Sequence, residues 1–540
     1  MKDSLGSNRV DQLLKWLLII LPCLFPLLFS FPYRINVFLA WDGAFRISQG
    51  LIPYKDFGTP VGYAFWLIPS LFFKIFGNSI FTLIVAQVFI NFISNLVFYN
   101  ILRLFNVSLK VSLIGLWVYN LSYTLFNPWP WYNHSVFVFE LISLYFLLRV
   151  VFYADKKITK TIFTFLFISA FVSVLTFLCK QDTGALSIVF NFLLIIWFSI
   201  FNNSYKVFFV YLGMFIFSLI ILILPFLQYD FLYWFNLGQY PHTSRVSAFD
   251  LLHEFFGASK WIKFYLTFVI LLFLWKHDYK ACFDFKKPQV FFLWVLFILF
   301  QASIIQVTSY TPLYGNIYFH AIALTFLFVN IDLGFEKSKW IFISGLLLSG
   351  IWWSNVYWTR YISPRVKPLL VDLKDSDRIN KNTYVISAAD SLNEVENRTD
   401  WIVPPFKVFS KIKIPLETSD GIQRLLDLSK NLNKVQKLKV LNLTELTQLS
   451  VMIPYEIETG EGIPLWYHKG VSIFDKEVKD YCNKINNDYY DIILFEDIPN
   501  LNQFYSYDIL NCVKEKYHLV DSFLAPRVPV NSFIFVFIKQ

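Results

Sequence analysis

Long apolar runs fill most of the chain between Leu13 and Trp358 and limit what it can fold into. A helix needs about 20 mainly apolar residues to cross the roughly 30 Å hydrocarbon core of a bilayer. Eleven segments meet that description: 13–33, 79–102, 111–127, 134–153, 161–179, 183–201, 207–227, 261–276, 289–307, 316–332 and 339–356. Only 16% of residues are charged and mean hydropathy is +0.51, whereas a soluble domain is about 25% charged. The sequence therefore predicts a polytopic α-helical membrane protein and excludes a disordered chain or a cytosolic enzyme.

The stretch from Thr359 to Gln540 has instead the composition of a soluble domain. Strand-like and helical runs alternate along it, which predicts a small α/β domain. The strand-like runs are Thr383–Ser387, Lys439–Leu443, Asp491–Phe495 and Ser532–Ile538, and the helical runs include Gly421–Lys437 and Asp475–Ile485. We therefore divide the chain into a transmembrane domain, 1–358, and a soluble domain, 359–540. Cys482 and Cys512 both lie in the soluble domain and can pair if it faces an oxidising compartment.

The positions of Lys and Arg predict the orientation. With the N-terminus inside, about sixteen of these residues fall in inner segments and about eight in outer ones, as the positive-inside rule requires. An odd number of spans then places the C-terminal domain outside. The first apolar run lacks a small-residue cleavage site and is predicted to remain as a signal anchor. We expect an integral protein of a plasma membrane, in bacteria the inner membrane, with a cytoplasmic N-terminus and an extracytoplasmic C-terminal domain. No basic block indicates a nucleic-acid partner.

Two long outer loops, 34–78 and 228–260, separate spans. Loops of that length are uncommon unless they have a function. Within the first loop, the segment Val61–Phe76 is apolar but too short to span, and it is predicted to be an interfacial or re-entrant helix. The same loop carries two carboxylates, Asp42 and Asp56, among Gly, Pro and aromatic residues that would fix its backbone. The first loop is therefore the first place to look for a site.

The residues after the first span follow a distinctive order. Asp42 is followed by Gly50-Leu51-Ile52-Pro53-Tyr54-Lys55-Asp56-Phe57, by Pro60, and by an apolar run that ends at Phe76-Gly77. Over about 39–77 this order resembles the GT-C superfamily of glycosyltransferases, polyprenyl-phosphate-sugar-dependent enzymes that include protein O-mannosyltransferases and lipid A aminoarabinose transferases. Span number and loop placement extend the resemblance over the membrane half. Many members carry Asp-Glu where this chain has Asp42-Gly43, so no role is carried over to the second residue.

The resemblance implies a GT-C-like fold and an inverting transfer of a sugar from a polyprenyl-phosphate donor to a hydroxyl of a glycan, lipid or protein acceptor at the outer membrane face. The acceptor hydroxyl needs a base within hydrogen-bond reach. We assign that base to Asp42, with Asp56 as the second candidate for base or for orienting the acceptor. Tyr54 is predicted to contact the substrate. The alternative is that both acids are ordinary loop carboxylates at the membrane surface.

Cations that neutralise the lipid phosphate are expected at the outer ends of the spans. Lys180 interrupts two apolar segments at membrane depth, where a lysine is costly unless it is paired or faces a polar cavity. Similar enzymes often carry a lysine in a comparable turn, so Lys180 either binds the phosphate, pairs with Asp182 or reaches back to the surface. His242 and Arg245 lie in the second long outer loop, and a guanidinium fork suits phosphate oxygens. A solvent-facing role is the alternative for both.

Two more polar residues are assigned to substrate binding. His320 begins the tenth candidate span and resembles a histidine that some relatives place near the donor phosphate. Glu140 lies inside the fourth span, on the same helix face as Asn133. A buried glutamate in a span needs a partner, so Glu140 either lines the acceptor cavity or bonds an amide or hydroxyl of a neighbouring helix. A structural role is the alternative for His320.

No His, Cys or Asp grouping has the spacing of metal ligands, so no cofactor is assigned and a need for a divalent cation stays open. Two other functions also stay open. A transporter or flippase of lipid-linked glycans would show polar residues along a midplane path and repeated halves, but the spans hold almost no midplane charge apart from Glu140. An inactive scaffold of the same fold would tolerate the loss of Asp42.

Overall fold

The computed structural model describes residues 9–33, 35–59, 61–153, 158–235, 251–252, 255–256, 260–277, 284–309, 319–352, 401–432, 437–467, 474–497, 507–526 and 532–539. Each of the eleven predicted spans overlaps one helix in these ranges, and the number of helices that cross the membrane stays a prediction. The eleven helices are α1 Arg9–Leu24, α4 Ile80–Leu104, α5 Leu109–Ser122, α6 Tyr132–Tyr153, α7 Lys160–Cys179, α8 Gln181–Phe201, α9 Tyr205–Ile223, α10 Lys260–Lys276, α11 Lys287–Ser309, α12 Phe319–Asn330 and α13 Lys339–Trp352. Of the candidate spans in the described ranges, seven are long and apolar enough to cross a membrane. The chain is an integral membrane protein.

The first predicted outer loop contains two further helices, α2 Ile35–Ser48 and α3 Leu67–Phe76. Helix α3 corresponds to the predicted interfacial segment. Helix α2 differs from the sequence analysis, which placed Asp42 in irregular loop. It packs so closely on the turn before α3 that a Cβ at Gly43 would meet the Trp66 ring at 2.0 Å, and the Trp66 indole donates to the Leu39 carbonyl at 3.1 Å. The position of α2 is therefore set by its contact with Trp66, which is a tertiary contact and not a feature of the local sequence pattern.

Buried side-chain amides and hydroxyls link the membrane helices. Between α6, α7 and α8, the Asn191 amide donates to the Ser143 and Ser173 hydroxyls at 3.0 and 2.8 Å. Ser143 and Ser173 are themselves 2.7 Å apart. Small polar residues allow close helix approach in a bilayer and satisfy one another where no water is available. These contacts hold the bundle on which the site residues depend.

The C-terminal domain is built around a five-stranded mixed sheet of order β5-β4-β6-β8-β7, in which β4 pairs in parallel with β5 and β6. Three of the predicted strands are confirmed as β4, β6 and β8, and the structure adds β2, β3, β5 and β7. The predicted strand Thr383–Ser387 and the boundary at 358 lie outside the described residues. The elements are β2 Trp401–Ile402, β3 Ile412–Pro415, α14 Leu416–Asn431, β4 Leu438–Leu443, α15 Leu449–Met452, β5 Tyr455–Glu456, α16 Phe474–Asn486, β6 Ile492–Asp497, α17 Tyr507–Lys516, β7 Tyr517–Leu524 and β8 Phe533–Lys539. A Cys482–Cys512 disulfide joins α16 to α17.

Backbone pairing docks this domain on the membrane half. The short strand β1, Phe31–Pro32, follows α1 and pairs in parallel with β3. Farther along the first loop, the Gly58 amide donates to the Ile463 carbonyl at 2.7 Å and the Leu465 amide donates to the Gly58 carbonyl at 2.8 Å. The Tyr33 hydroxyl adds a bond to the Glu445 carbonyl. Helix α2 is therefore enclosed between the bundle and the C-terminal domain.

Candidate active site at the junction of helix α2 and the C-terminal domain

Asp42 and Arg46 lie one turn apart on α2 and form a buried ion pair. The Arg46 Nε donates to Asp42 Oδ2 at 3.2 Å, and the Arg46 and Asp42 side chains are 10% and 4% exposed, respectively. Burial raises the pKa of the Asp42 carboxyl, while the Arg46 charge and hydrogen bond oppose that shift. The result is a carboxylate more basic than an exposed one, yet with a fixed positive partner that favours its ionised form.

The Asp42–Arg46 pair lines a cleft between α2 and the C-terminal domain. We call this the α2 cleft. The domain's wall is rich in amide, hydroxyl, phenol and carboxylate groups, contributed by Asn442, Thr444, Thr447, Ser450, Tyr455 and Glu458. Burial, reinforced by the nearby Asp42 charge, raises the pKa of Tyr455 to about 12, so this phenol stays protonated and able to donate.

Glu458 connects the two walls of the α2 cleft. Its backbone carbonyl accepts from Arg46 Nη1 at 3.2 Å. Its carboxylate Oε1 accepts from Lys484 Nζ at 2.9 Å and from the Tyr490 hydroxyl. Arg46 is thus held by a side chain four residues away and by a backbone carbonyl more than four hundred residues away. Arg46 and Glu458 are not among the site residues predicted from the sequence. The i,i+4 spacing to Asp42 indicates Arg46 only once α2 is known to be a helix.

Asp56 and Tyr54, the other predicted residues of the first loop, have different surroundings. The Asp56 Oδ2 accepts from the Ile52 amide at 2.7 Å and closes the turn between them. Tyr54 is fully buried against Phe226 and Phe231, with ring centroids 5.8 and 5.1 Å away. Both residues shape the loop, and Asp42 alone of the three lines the α2 cleft.

Lys180 lies in the break between α7 and α8, at the same end of the bundle. Its Nζ donates to Asp182 Oδ2 at 2.7 Å and reaches Thr183 Oγ1 at 3.5 Å. The pairing with Asp182 that the sequence left open is therefore present. The first loop packs directly on this turn, since a Cβ at Gly62 would meet the Leu178 carbonyl oxygen at 2.0 Å.

Glu140 joins the same polar group from inside the bundle. The Gln301 amide of α11 donates to Glu140 Oε2 at 2.8 Å and reaches the Thr183 carbonyl at 3.4 Å. The neighbouring-helix amide expected for Glu140 is thus Gln301. The chain of contacts from Lys180 through Asp182, Thr183 and Gln301 to Glu140 is called the lysine chain below.

The remaining predicted site residues lie elsewhere or outside the described ranges. His320 is buried beside α10, with its Nδ1 at 3.2 Å from the Tyr265 hydroxyl and its ring at 5.7 Å from Trp261. His242 and Arg245 fall outside the described residues. Among the residues that are described, no group of three His, Cys, Asp or Glu side chains could hold a metal ion.

Comparison with solved structures identifies the fold. The chain is similar to ArnT from Cupriavidus metallidurans in the apo state, with a TM-score of 0.50, 10% identity, and coverage of 98% of this chain and 97% of that one. The ArnT structure bound to undecaprenyl phosphate gives a TM-score of 0.48 at the same identity and coverage. No family model matches the chain, and no curated protein does. The GT-C-like fold predicted from the first-loop motif is confirmed.

Proposed function

We propose that this chain is an integral membrane glycosyltransferase of GT-C type that transfers a sugar from a polyprenyl-phosphate donor to a hydroxyl acceptor. The observation that carries the proposal is Asp42, a buried carboxylate that is held by Arg46 and lines a polar cleft. A base that must take a proton from a hydroxyl needs a raised pKa and a fixed direction. Burial supplies the first, and the Arg46 contact supplies the second.

The proposed reaction is a single displacement. The acceptor oxygen attacks the anomeric carbon of the donor sugar, the bond from that carbon to the phosphate oxygen breaks, and the polyprenyl phosphate leaves with the bonding electrons. Asp42 accepts the acceptor's proton, and the anomeric configuration inverts. Asp56 is the second candidate for this base, although its carboxylate already caps the Ile52 turn.

Lys180 is proposed to neutralise the leaving phosphate. An ammonium has three donors, so Lys180 can keep its contact with Asp182 and still donate to a phosphate oxygen. The proposed substrate-binding residues are Tyr54, Glu140, His320, His242 and Arg245. For Glu140 and Tyr54 the proposed role is indirect: they position the side chains that pack around them.

The membrane orientation belongs to the same proposal. The positive-inside count supports a cytoplasmic N-terminus, and the Cys482–Cys512 disulfide supports an extracytoplasmic C-terminal domain because such bonds persist in oxidising compartments. The division into a transmembrane domain, 1–358, and a soluble domain, 359–540, is proposed with it. The α2 cleft would then lie at the extracytoplasmic membrane face, where lipid-linked sugars are presented.

The test is mass spectrometry of surface and lipid-linked glycans from a strain lacking this gene, complemented with wild type, Asp42→Asn or Asp56→Asn. Asp42→Asn should express normally and fail to restore the missing sugar. Asp427→Asn, in an exposed helix of the C-terminal domain, is the matched control and should restore it. The asparagine side chain keeps a carbonyl acceptor for the Ile52 amide but cannot take up a proton as a carboxylate does. Asp56→Asn should therefore impair transfer if Asp56 is the base and leave it unchanged if Asp56 only stabilises the turn.

Each other outcome contradicts a stated part of the proposal. Full restoration by Asp42→Asn would remove Asp42 as the base, and failure of Asp56→Asn alone would give that role to Asp56. Accumulation of intact lipid-linked glycan with no missing sugar would replace the transferase with a transporter or flippase.

A further inference from the structure

Two residues that line the α2 cleft each carry a polar atom that is buried without a hydrogen-bond partner within the described part of the chain. These atoms are the Thr447 Oγ1 and the Glu458 Oε2. Buried polar atoms are almost always satisfied in folded proteins, so each exception asks for an explanation such as a bound ligand. Both belong to the C-terminal domain, on the wall of the cleft opposite Asp42.

The position of the cleft relative to the domain's sheet also indicates a bound ligand. Strands β4 and β5 run parallel, and the cleft is lined by residues at their carboxyl ends, including Thr444 after β4 and Glu458 after β5. In open α/β sheets, ligands bind outside the carboxyl ends of the strands. The sheet topology therefore indicates a ligand site here independently of the unpartnered atoms.

The charges of the cleft indicate which ligand fits. Among its described lining residues, the ionisable carboxylates are Asp42 and Glu458, and Arg46 is the one cation. Each carboxylate is paired with one cation, Asp42 with Arg46 and Glu458 with Lys484, so these groups leave no net charge and favour a neutral ligand over a phosphate or other anion. Hydroxyl donors for Glu458 and a hydroxyl partner for Thr447 fit a neutral polyol. Trp466 and Tyr481 belong to the same lining and add aromatic surface to it.

We propose that the C-terminal domain forms a binding subsite for a neutral saccharide in the α2 cleft, with Glu458 and Thr447 as its hydroxyl partners. The inference rests on the proposed function, because the saccharide bound there is the acceptor whose hydroxyl is presented to Asp42. Donor phosphate and acceptor sugar then bind to separate groups, the first at Lys180 and the second between α2 and the C-terminal domain. Acceptor choice is set by the soluble domain.

The test uses the full chain in lipid nanodiscs and saturation-transfer NMR with the methyl α-glycosides of glucose, galactose and mannose. At least one glycoside should bind, and its affinity should fall about five- to tenfold in Glu458→Gln and in Thr447→Val, as expected for the loss of one hydrogen bond. Glu456→Gln, which removes the same charge from an exposed position on β5, is the matched control and should bind like wild type. Inorganic phosphate should not displace the glycoside.

Glu458→Gln releases Lys484 and Tyr490 and could therefore disturb the fold. Thr447→Val keeps the side-chain volume and breaks no ion pair, so a loss of binding in this variant cannot be assigned to such a defect. Absence of glycoside binding, unchanged binding in both variants, or displacement by phosphate would overturn the subsite. If the subsite fails while Asp42→Asn still abolishes transfer in cells, the proposed function stands without it. If glycoside binding behaves as expected while Asp42→Asn transfers normally, the subsite stands and the base assignment falls.

Discussion

The two buried ion pairs at one end of the bundle are built differently. Asp42–Arg46 spans one turn of a single helix and opens into a cleft whose far wall comes from the C-terminal domain. Lys180–Asp182 sits in a break between two helices and continues into the bundle through the lysine chain. The first pair places a buried carboxylate at the cleft, and the second holds an ammonium in the break between two helices. The proposed base and the proposed phosphate-binding group therefore belong to different elements of the chain.

The largest effect is expected when Arg46 is removed, because Asp42 is then left buried without its cation. Breaking a buried pair in this way costs about 3–5 kcal/mol, so Arg46→Gln should lose about that much free energy of unfolding in SDS titrations at neutral pH. Arg46→Lys should keep most of it. The double variant Asp42→Asn/Arg46→Gln should be more stable than Arg46→Gln alone, because no charge remains to be paired. If the double variant is the less stable one, the loss comes from packing and not from charge.

Arg46→Gln also tests the proposed role of Asp42 as the base, through the pH dependence of transfer. The Asp42 pKa lies above its ordinary value of 3.8 because burial outweighs Arg46, and the base must be ionised, so transfer should rise with pH through that raised pKa. Removing Arg46 raises the pKa further, and the acid limb of the pH–rate profile should move to higher pH. Stability should fall as pH rises through the same window, since the folded state then loses a proton it binds more tightly than the unfolded state. An acid limb that does not move would mean that another group controls it.

The sequence could predict the spans because a bilayer imposes a local rule. Every backbone polar group in lipid must be satisfied within its own helix, so about twenty apolar residues suffice to identify a span such as α4, which was predicted to within two residues at each end. Helix α2 has no such local signature, since Trp66 and the C-terminal domain enclose it. Thr447 and Glu458 are about four hundred residues from Asp42 in the chain, and no spacing could have joined them. The local sequence thus predicts Asp42 as a candidate base, whereas the residues that surround Asp42 can be identified only in the folded chain.

Lys180→Met should have the next largest effect, this time on transfer. Removing one group that stabilises developing charge costs about 10²–10³ in rate, and transfer of a lipid-linked sugar by purified protein in nanodiscs would measure it. The proposed leaving group is a polyprenyl phosphate, so inhibition by added polyprenyl phosphate should weaken in the variant. The double variant Lys180→Met/Asp182→Asn should regain stability without regaining activity. Recovery of both would assign Lys180 a purely structural pairing.

The disulfide tests the boundary between the two regions. Cys482 and Cys512 are 30 residues apart in the chain, and a native disulfide of this kind contributes about 2–4 kcal/mol. Cys482→Ser/Cys512→Ser should therefore lower the unfolding temperature of the C-terminal domain while the helices of the bundle keep their far-UV circular dichroism. Cys23 and Cys179 are buried, and Cys282 is the one further cysteine outside the disulfide. In a Cys282→Ser background, a membrane-impermeant maleimide applied to intact cells after mild reduction should therefore label the soluble pair. Labelling seen only after permeabilisation would place the domain on the opposite side of the membrane.

The smallest effect is expected at an exposed pair that resembles Asp42–Arg46 in chemistry but not in burial. Arg424 on α14 donates through Nε and Nη2 to both carboxylate oxygens of Asp521 on β7, at 2.8 and 3.1 Å. Its side chain is 50% exposed, and solvent-exposed pairs contribute about 0.2–1 kcal/mol. Arg424→Gln should therefore change the free energy of unfolding by no more than that, with the change vanishing at high salt, and should leave transfer unaltered. A loss as large as that of Arg46→Gln would show that charge removal alone, and not burial beside the α2 cleft, accounts for the effect at Arg46.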